Sequence, residues 1–320
     1  MPSPVARDRQ SHARIGLDIG GTKMAGGLVL FPDGHVLARR VIPTRPDRSG
    51  NELLRDTLAL TTDLIAVAAS KGCVVEGIGA GVAELVARDG EITSAQTIPW
   101  LGLPVRERLS ELAPAVVESD VRAAAIGEAA YGAGRGHEAF VYVTVGTGIS
   151  CSLVQRGEPF GGAHGNALVL ASGPTSHTCP HCGERSTMIL EELASGPAIA
   201  RRYAARAGRN GITAEDVMRA ADADDPIALD VVASAGTALG AAVGFLVNVL
   251  DPHAIVVGGG LGCSGGRYWH HLVESARAHV WADASRGVPI VRAALGQDAG
   301  IVGAAVASCR HAPPLPKENR

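Results

Sequence analysis

The sequence predicts an α/β protein with two domains. Two apolar stretches, at residues 15–30 and 141–154, are each interrupted by a glycine turn, as expected of strand–turn–strand hairpins. A third apolar stretch, at 254–261, also runs into glycines, and segments with helical spacing of apolar residues lie between the three. At 320 residues the chain is long enough to form two separate cores.

The first glycine turn, Gly20-Gly21, is flanked by residues that suit a bound phosphate. Adjacent glycines let backbone N–H groups approach an anion with no Cβ in the way. Thr22 and Lys23 add a hydroxyl and a cation, and Asp18 can hold Mg²⁺ through water. A plain hairpin turn would account for the glycines alone, so the flanking residues favour a nucleotide bound with its metal.

The remaining elements follow from apolar spacing and from glycine and proline breaks. We predict a β-meander over 14–45 and disordered ends at 1–13 and 311–320. The predicted strands that follow are 74–81 and 116–117, and the predicted helices are 52–71, 105–112, 120–131, 191–206, 227–250 and 300–309. The predicted domains are 14–117 and 118–299, with the last helix packing back on the first domain.

Two phosphate hairpins followed by a distal glycine turn resemble the actin-like (ribonuclease-H-like) ATPase fold. In that fold two related α/β domains each donate one hairpin to the phosphates across a cleft between the domains. The resemblance implies that Gly146, Thr147 and Gly148 surround the phosphates. It also implies that the adenosine packs against the backbone of Gly258-Gly259-Gly260.

The chain also resembles the ROK family of sugar kinases, a family of the glucokinase type that includes repressors. The resemblance covers about residues 14 to 306. Besides the first hairpin it rests on the motifs at 118–128, 145–149, 194–196, 251–260 and 298–303. It implies ATP, Mg²⁺ and phosphoryl transfer to a sugar-like alcohol.

Asp120 is the candidate general base. Phosphoryl transfer to an alcohol needs a carboxylate within reach of the attacking hydroxyl. Asp120 follows a predicted strand and precedes an Ala-rich helix, where Asp is also a favoured N-cap. Its match to the catalytic aspartate of the family favours the base. Ser119 stands where the family has Asn before this Asp, and the resemblance places it beside the substrate.

The segment after the second hairpin departs from the family pattern, in which a Glu and a His hold sugar hydroxyls. His164 and Asn166 lie in the matching approach to that motif, but Val169 stands in place of the Glu and Ser172 in place of the His. Valine accepts no hydrogen bond from a hydroxyl. The sequence therefore makes ordinary glucokinase activity doubtful and favours a hydroxylated ring without an anomeric oxygen, or an unusual sugar. Because the family that the chain resembles includes kinases of C7 cyclitols, we expect an acceptor of that class.

A second departure lies before Trp100, where family members carry an Asn that touches the sugar. Here Gln96 or Thr97 must take that role. A plain glucokinase or aminosugar kinase with a rearranged pocket is the alternative, and a catalytically idle sugar sensor is a further one. Family repressors carry an N-terminal helix-turn-helix, and we expect none here because the sequence before the first predicted strand is too short for that motif.

The family's zinc motif is also altered. His177, Cys179, His181 and Cys182 could supply nitrogen and sulfur ligands to Zn²⁺, although the third Cys of the family motif is missing. A metal-free loop is the alternative. A redox role for Cys-Pro-His-Cys would need a thioredoxin-like βαβ context, which the sequence does not indicate.

Composition argues against several classes of function. The chain is 46% hydrophobic, 19% charged and 3% aromatic, with a net charge of −3, which lacks the basic excess and stacking platforms of nucleic-acid binding. We expect no membrane span, since no uninterrupted apolar run reaches about 18 residues. The first 14 residues do not resemble a signal peptide. We therefore expect a cytoplasmic protein, and the family leads us to expect a homodimer.

Overall fold

The computed structural model describes residues 11–45 and 47–310, which form two compact units. The first unit contains the described residues up to Ala130, residues 163–166 and those from Asp298 onward. The second contains residues 131–162 and 167–297. Our prediction placed the domain boundary before Glu118. In the structure the first unit extends to Ala130 and therefore includes most of the Ala-rich helix.

The first unit has a five-stranded sheet in the order β3-β2-β1-β4-β5. Its strands are β1 (Ser11–Ile19), β2 (Lys23–Leu30), β3 (His35–Pro43), β4 (Cys73–Val82) and β5 (Ala115–Ser119). β1, β2 and β3 form an antiparallel meander, and β4 and β5 continue the sheet parallel to β1. The carboxyl ends of β1, β4 and β5 therefore lie at the same edge of the sheet.

Four helices belong mainly to this unit: α1 (Gly50–Ser70), α2 (Val105–Ser110), α3 (Asp120–Tyr131) and α9 (Ala299–Arg310). A capping box between Ser49 and Glu52 starts α1. α9 packs directly on β1 and β4, because a glycine in each strand leaves room for the backbone of the helix. A Cβ at Gly16 would lie 1.8 Å from the carbonyl oxygen of Ile301.

The predicted disordered N-terminus is wrong at residues 11–13, which form the start of β1. Ser11 and His12 pair with β4, and Ala13 is fully buried. Their polar sequence hides the strand, because backbone pairing with a neighbouring strand does not require apolar side chains. The rest of the predicted disordered ends lies outside the described residues.

The second unit has a five-stranded sheet in the order β12-β11-β6-β7-β8. Its strands are β6 (Ala139–Val145), β7 (Ile149–Gln155), β8 (Glu158–Pro159), β11 (Ala254–Gly258) and β12 (Ile290–Arg292). β6, β7 and β8 are antiparallel, whereas β11 lies parallel to β6 and β12. The same unit carries a separate, mostly exposed hairpin of β9 (Pro174–Thr178) and β10 (Arg185–Ile189).

The helices of the second unit are α4 (Leu190–Ala194), α5 (Gly196–Ala207), α6 (Ala214–Asp222), α7 (Pro226–Leu250) and α8 (Gly266–His279). The single helix predicted over 191–206 is wrong, because Ser195 is extended and its hydroxyl caps α5. α7 is long and apolar enough to cross a membrane by length and composition alone. Since 56% of that apolar window is buried inside the protein, α7 is weak evidence for a membrane span.

Candidate active site

Three carboxylates of the first unit follow the ends of its parallel strands. Asp18 is the second-last residue of β1, and its backbone pairs with Gly81 near the end of β4. Glu84 comes two residues after β4, and Asp120 comes directly after β5. The sheet thus gathers side chains that are far apart in sequence, in the arrangement that open α/β sheets use for ligand sites.

Asp120 is partly buried, and its pKa is raised to about 7. Burial is the largest cause, and the negative charges of Asp18 and then Glu84 act in the same direction. The N–H of Val121 donates to Asp120 Oδ1 over 2.7 Å, which lowers the pKa but does not offset the other causes. A carboxylate with a pKa near neutrality is suited to general-base catalysis.

Helix capping at this position falls to Ser119. Its buried hydroxyl accepts from the N–H of Arg122 over 3.4 Å, and α3 begins at Asp120. The expectation that Asp120 is itself the N-cap is therefore wrong. Because Ser119 satisfies that helical N–H, the carboxylate of Asp120 is not needed as the cap. The predicted contact of Ser119 with a substrate remains a prediction, and its hydroxyl is engaged in the cap.

Asp18 also has a raised pKa, because burial outweighs the positive charges of Lys23 and Arg39. The carboxylate packs against α9, where a Cβ at Gly300 would lie 2.8 Å from Asp18 Cγ. Only glycine fits at position 300 without a shift. Carboxylate oxygens are the ligands that Mg²⁺ prefers, and a bound cation would relieve the repulsion between Asp18 and Asp120. The residues present therefore fit a magnesium ion.

The first glycine turn joins β1 to β2 as predicted. Gly20 N–H donates to the Lys23 carbonyl over 3.0 Å, and the hydroxyl of Thr44 donates to the Gly20 carbonyl over 2.6 Å. A Cβ at Gly21 would lie 2.4 Å from Thr97 Cγ2, so the turn lies close against Thr97. Thr22 and Lys23 are exposed. Exposed donors beside a turn without side chains fit a phosphate group.

The segment with Gln96 and Thr97 is held by the buried carboxylate of Glu84. The N–H groups of Gln96, Thr97 and Ile98 all donate to it, over 3.0, 2.5 and 2.6 Å. The side chains of Gln96 and Thr97 are exposed. The structure therefore places two predicted acceptor contacts in the same unit as Asp120.

His164 and Asn166 are held in the first unit through Arg122. This buried guanidinium donates to the carbonyls of Gly165 and Val86, the latter over 2.6 Å, and forms an ion pair with Glu118. His164 and Asn166 flank Gly165 and are both exposed. Their segment is thus fixed by its backbone, while both side chains stay accessible.

The second glycine turn is held by Glu191. The N–H of Ile149 donates to Glu191 Oε2 over 2.7 Å, and a Cβ at Gly148 would lie 2.8 Å from the same oxygen. The carbonyl of Gly146 accepts from the N–H of Gly196 over 2.9 Å. Thr147, at the tip of the turn, is exposed. These contacts fix the backbone without covering the turn.

The third glycine run follows β11 in the second unit. Gly259 has a φ of 80°, and a Cβ there would lie 2.3 Å from the carbonyl oxygen of Val145. Gly258 is buried, whereas Gly260 is exposed, with nothing within 4 Å of a Cβ at that position. Glycine is therefore required at 259 by the backbone and by its packing against the end of β6.

The predicted zinc ligands do not come together as a metal site. Within residues 11–45 and 47–310, no group of three or more His, Cys, Asp and Glu side chains is placed to hold a metal ion. His177 lies on β9, and Cys179, His181 and Cys182 lie in the exposed turn of that hairpin. Backbone N–H groups of Cys182 and His181 lower the pKa of Cys179. The residues present therefore do not fit a structural Zn²⁺ ion.

Sequence reasoning missed Glu84, Arg122 and Glu191, which hold these segments in place. Arg122 and Glu118 are four residues apart at a helix start, a spacing that could have indicated their pairing. Glu84 and Glu191 give no such signal, because each binds backbone N–H groups, which do not depend on the type of residue. Only the folded arrangement of the chain shows what they hold.

Two α/β units, each with a glycine turn beside the first strands of a five-stranded sheet, define the actin-like ATPase fold. Within that class, the sequence matches the ROK family over residues 14–309, and the chain belongs to this family.

Relatives of similar length support the assignment. A glucokinase of Halalkalibacterium halodurans is 32% identical over 315 residues, covering 90% of this chain and 92% of the relative. An N-acetylmannosamine kinase of Escherichia coli is 30% identical, covering 91% and 97%. The crystal structure of a ROK family glucokinase from Streptomyces griseus, in complex with glucose and AMPPNP, is similar with a TM-score of 0.80. It is 30% identical, and the match covers 93% of this chain and 99% of that one.

Proposed function

We propose that the chain is an ATP-dependent kinase that phosphorylates a hydroxyl group of a sugar-like ring, with Asp120 as general base. The class, a phosphotransferase with an alcohol acceptor, follows from ROK family membership and from full-length similarity to sugar kinases. The observation that carries the role of Asp120 is its place at the end of β5, partly buried, with a pKa of about 7.

Each part of the site has a separate task in this proposal. Bound Mg²⁺–ATP supplies the phosphoryl group together with the positive charge that offsets its oxygens. Asp18 would hold the metal through water, and Thr22 and Lys23 would bind phosphate oxygens. Asp120 orients the acceptor hydroxyl and takes its proton as the hydroxyl attacks.

The glycine turns of the second unit bind the nucleotide in this proposal. Gly146, Thr147 and Gly148 offer backbone N–H groups to the phosphates, and the run from Gly258 to Gly260 packs against the adenosine. Neither turn carries a group that could accept a proton from the acceptor. The homodimer expected from the family stays a prediction.

The acceptor that we propose is a hydroxylated ring without an anomeric oxygen, such as a C7 cyclitol, phosphorylated at a primary hydroxyl. Val169 and Ser172 stand where the family pattern has Glu and His, and both are exposed in the second unit. Glucose would lose hydrogen-bond partners there, at a cost of about 1–3 kcal/mol for each polar group that binding buries without a partner. A ring that lacks the anomeric hydroxyl avoids part of that cost.

Glucose or an aminosugar is the second candidate acceptor. Full-length relatives are named glucokinase and N-acetylmannosamine kinase, and the similar crystal structure holds glucose. Gln96, Thr97, His164 and Asn166 are exposed and could bind sugar hydroxyls without the missing Glu and His.

A panel of acceptors tests the proposal. The purified protein is incubated with ATP, Mg²⁺ and hexoses, aminosugars or C7 cyclitols, and ADP release gives kcat/KM for each. We expect the best cyclitol to exceed glucose by orders of magnitude. Equal values would contradict the cyclitol proposal and favour the second candidate. No release with any acceptor would contradict the kinase itself and favour a sugar sensor.

A further inference from the structure

Glu84 has a buried carboxylate whose hydrogen bonds all go to one short segment. Oε1 accepts from the N–H groups of Thr97 and Ile98, and Oε2 accepts from the N–H of Gln96 and from the hydroxyl of Ser94. The residue is 7% exposed. A buried charge is tolerated when it is fully hydrogen-bonded, and these four donors fill that requirement.

The segment from 94 to 98 therefore depends on Glu84 for its conformation. Three consecutive N–H groups converge on one carboxylate, which requires a tight turn that β-pairing does not provide. The next residues are anchored separately, since Ile98 and Trp100 are fully buried and Trp100 Nε1 donates to the Gly50 carbonyl over 3.0 Å. The backbone is thus held within the turn by Glu84 and just after the turn by Trp100.

At Gln96 and Thr97, only the backbone is used for support. The side chains of Gln96 and Thr97 remain exposed, on a segment whose N–H groups are already satisfied. Thr97 also lies against Gly21 of the phosphate turn. Because the carboxylate holds only the backbone, both side chains stay available for a ligand. The backbone that carries them is already ordered, so binding would cost little further conformational entropy.

We propose that Glu84 is a positioning residue for the acceptor: it fixes residues 94–98 so that Gln96 and Thr97 meet the ring hydroxyls in one orientation. The proposal rests on the proposed function, in which these two side chains bind the acceptor. Glu84 touches neither substrate nor the transferred group. Its loss should therefore raise the KM for the acceptor far more than the KM for ATP.

The test compares Glu84→Gln with Glu91→Gln, which removes an exposed carboxylate from the same region. Glutamine keeps the size of the side chain but replaces one accepting oxygen by an NH₂ group that faces an N–H donor. We expect the acceptor KM of Glu84→Gln to rise at least about tenfold, with the ATP KM within about twofold. Ser94→Ala, which removes one of the four donors, should give a smaller rise, and Glu91→Gln none.

Hydrogen exchange gives a readout that is independent of turnover. The amides of Gln96, Thr97 and Ile98 donate to Glu84, so they should exchange at least about tenfold faster in Glu84→Gln, while those of α1 keep their rates. Faster exchange with unchanged acceptor KM would overturn the positioning role. Unchanged exchange, or equal rises of both KM values with faster exchange throughout the unit, would overturn the proposal as well. An inactive wild-type protein would instead contradict the proposed function, and the exchange rates would still decide whether Glu84 holds the turn.

Discussion

The two glycine turns share one sequence design, strand–glycine turn–strand, but they differ in the charges around them. The first lies in a unit where burial and the negative charges of Asp18 and Glu84 raise the pKa of Asp120. At the second turn, the carboxylate of Glu191 accepts from the backbone N–H of Ile149. In the proposed function, proton transfer therefore belongs to the first unit, whereas the second turn would contribute backbone binding groups.

The strongest way to test this division is to remove the proposed base. Asp120→Asn keeps the size of the side chain but cannot take a proton at neutral pH, so kcat should fall by about 10²- to 10⁴-fold. ATP affinity should change little, because the proposed function assigns Asp120 to the acceptor hydroxyl rather than to the nucleotide. Steady-state kinetics and calorimetric titration with ATP measure the two effects. Asp63→Asn, an exposed carboxylate on α1, is the control, and a near-normal kcat in Asp120→Asn would refute the role of the base.

The corresponding change at the second turn should affect binding instead. Glu191→Gln weakens the hydrogen bond from the N–H of Ile149, so the turn loses part of its support. We expect the KM for ATP to rise about tenfold, with a smaller change in kcat. The adjacent and exposed Glu192→Gln is the matched control. A large loss of kcat at unchanged ATP affinity would break the comparison between the two turns.

The sequence predicted the fold better than it predicted the contacts that hold the candidate site together. Asp18, the Gly20-Gly21 turn and Asp120 carry local signals, because a glycine turn and a strand end can be read from neighbouring residues. α3 was predicted with its observed bounds, 120–131. These features depend on short stretches of sequence.

The features that were missed depend on distant contacts. Glu84 lies ten to fourteen residues from the groups that it binds, and Arg122 lies 43 residues from Gly165. Most of their partners are backbone atoms, which every residue type has. The break of α4 and α5 at Ser195 was missed for a similar reason, since apolar spacing continues across a cap. The sequence left metal binding by the β9–β10 hairpin undecided, because the spacing of His and Cys alone does not determine where their side chains lie.

The smallest expected effect is a shift of the pH profile, and it separates the two turns most directly. Asp120 acts as a base only when deprotonated, and its pKa is about 7 in the protein without metal. The acceptor kcat/KM should therefore fall as the pH decreases through about 7. Part of the rise in this pKa comes from the negative charge of Asp18, so Mg²⁺ bound there should lower it.

A series of pH profiles at increasing Mg²⁺ concentration should accordingly move the acid limb to lower pH, by roughly half a unit to one unit. Glu191→Gln should leave the limb in place, because Glu191 is not among the groups that shift the pKa of Asp120. If the acid limb moved in Glu191→Gln but did not shift with Mg²⁺ concentration, the titrating group would not be Asp120. The division of labour between the two glycine turns would then have to be reversed.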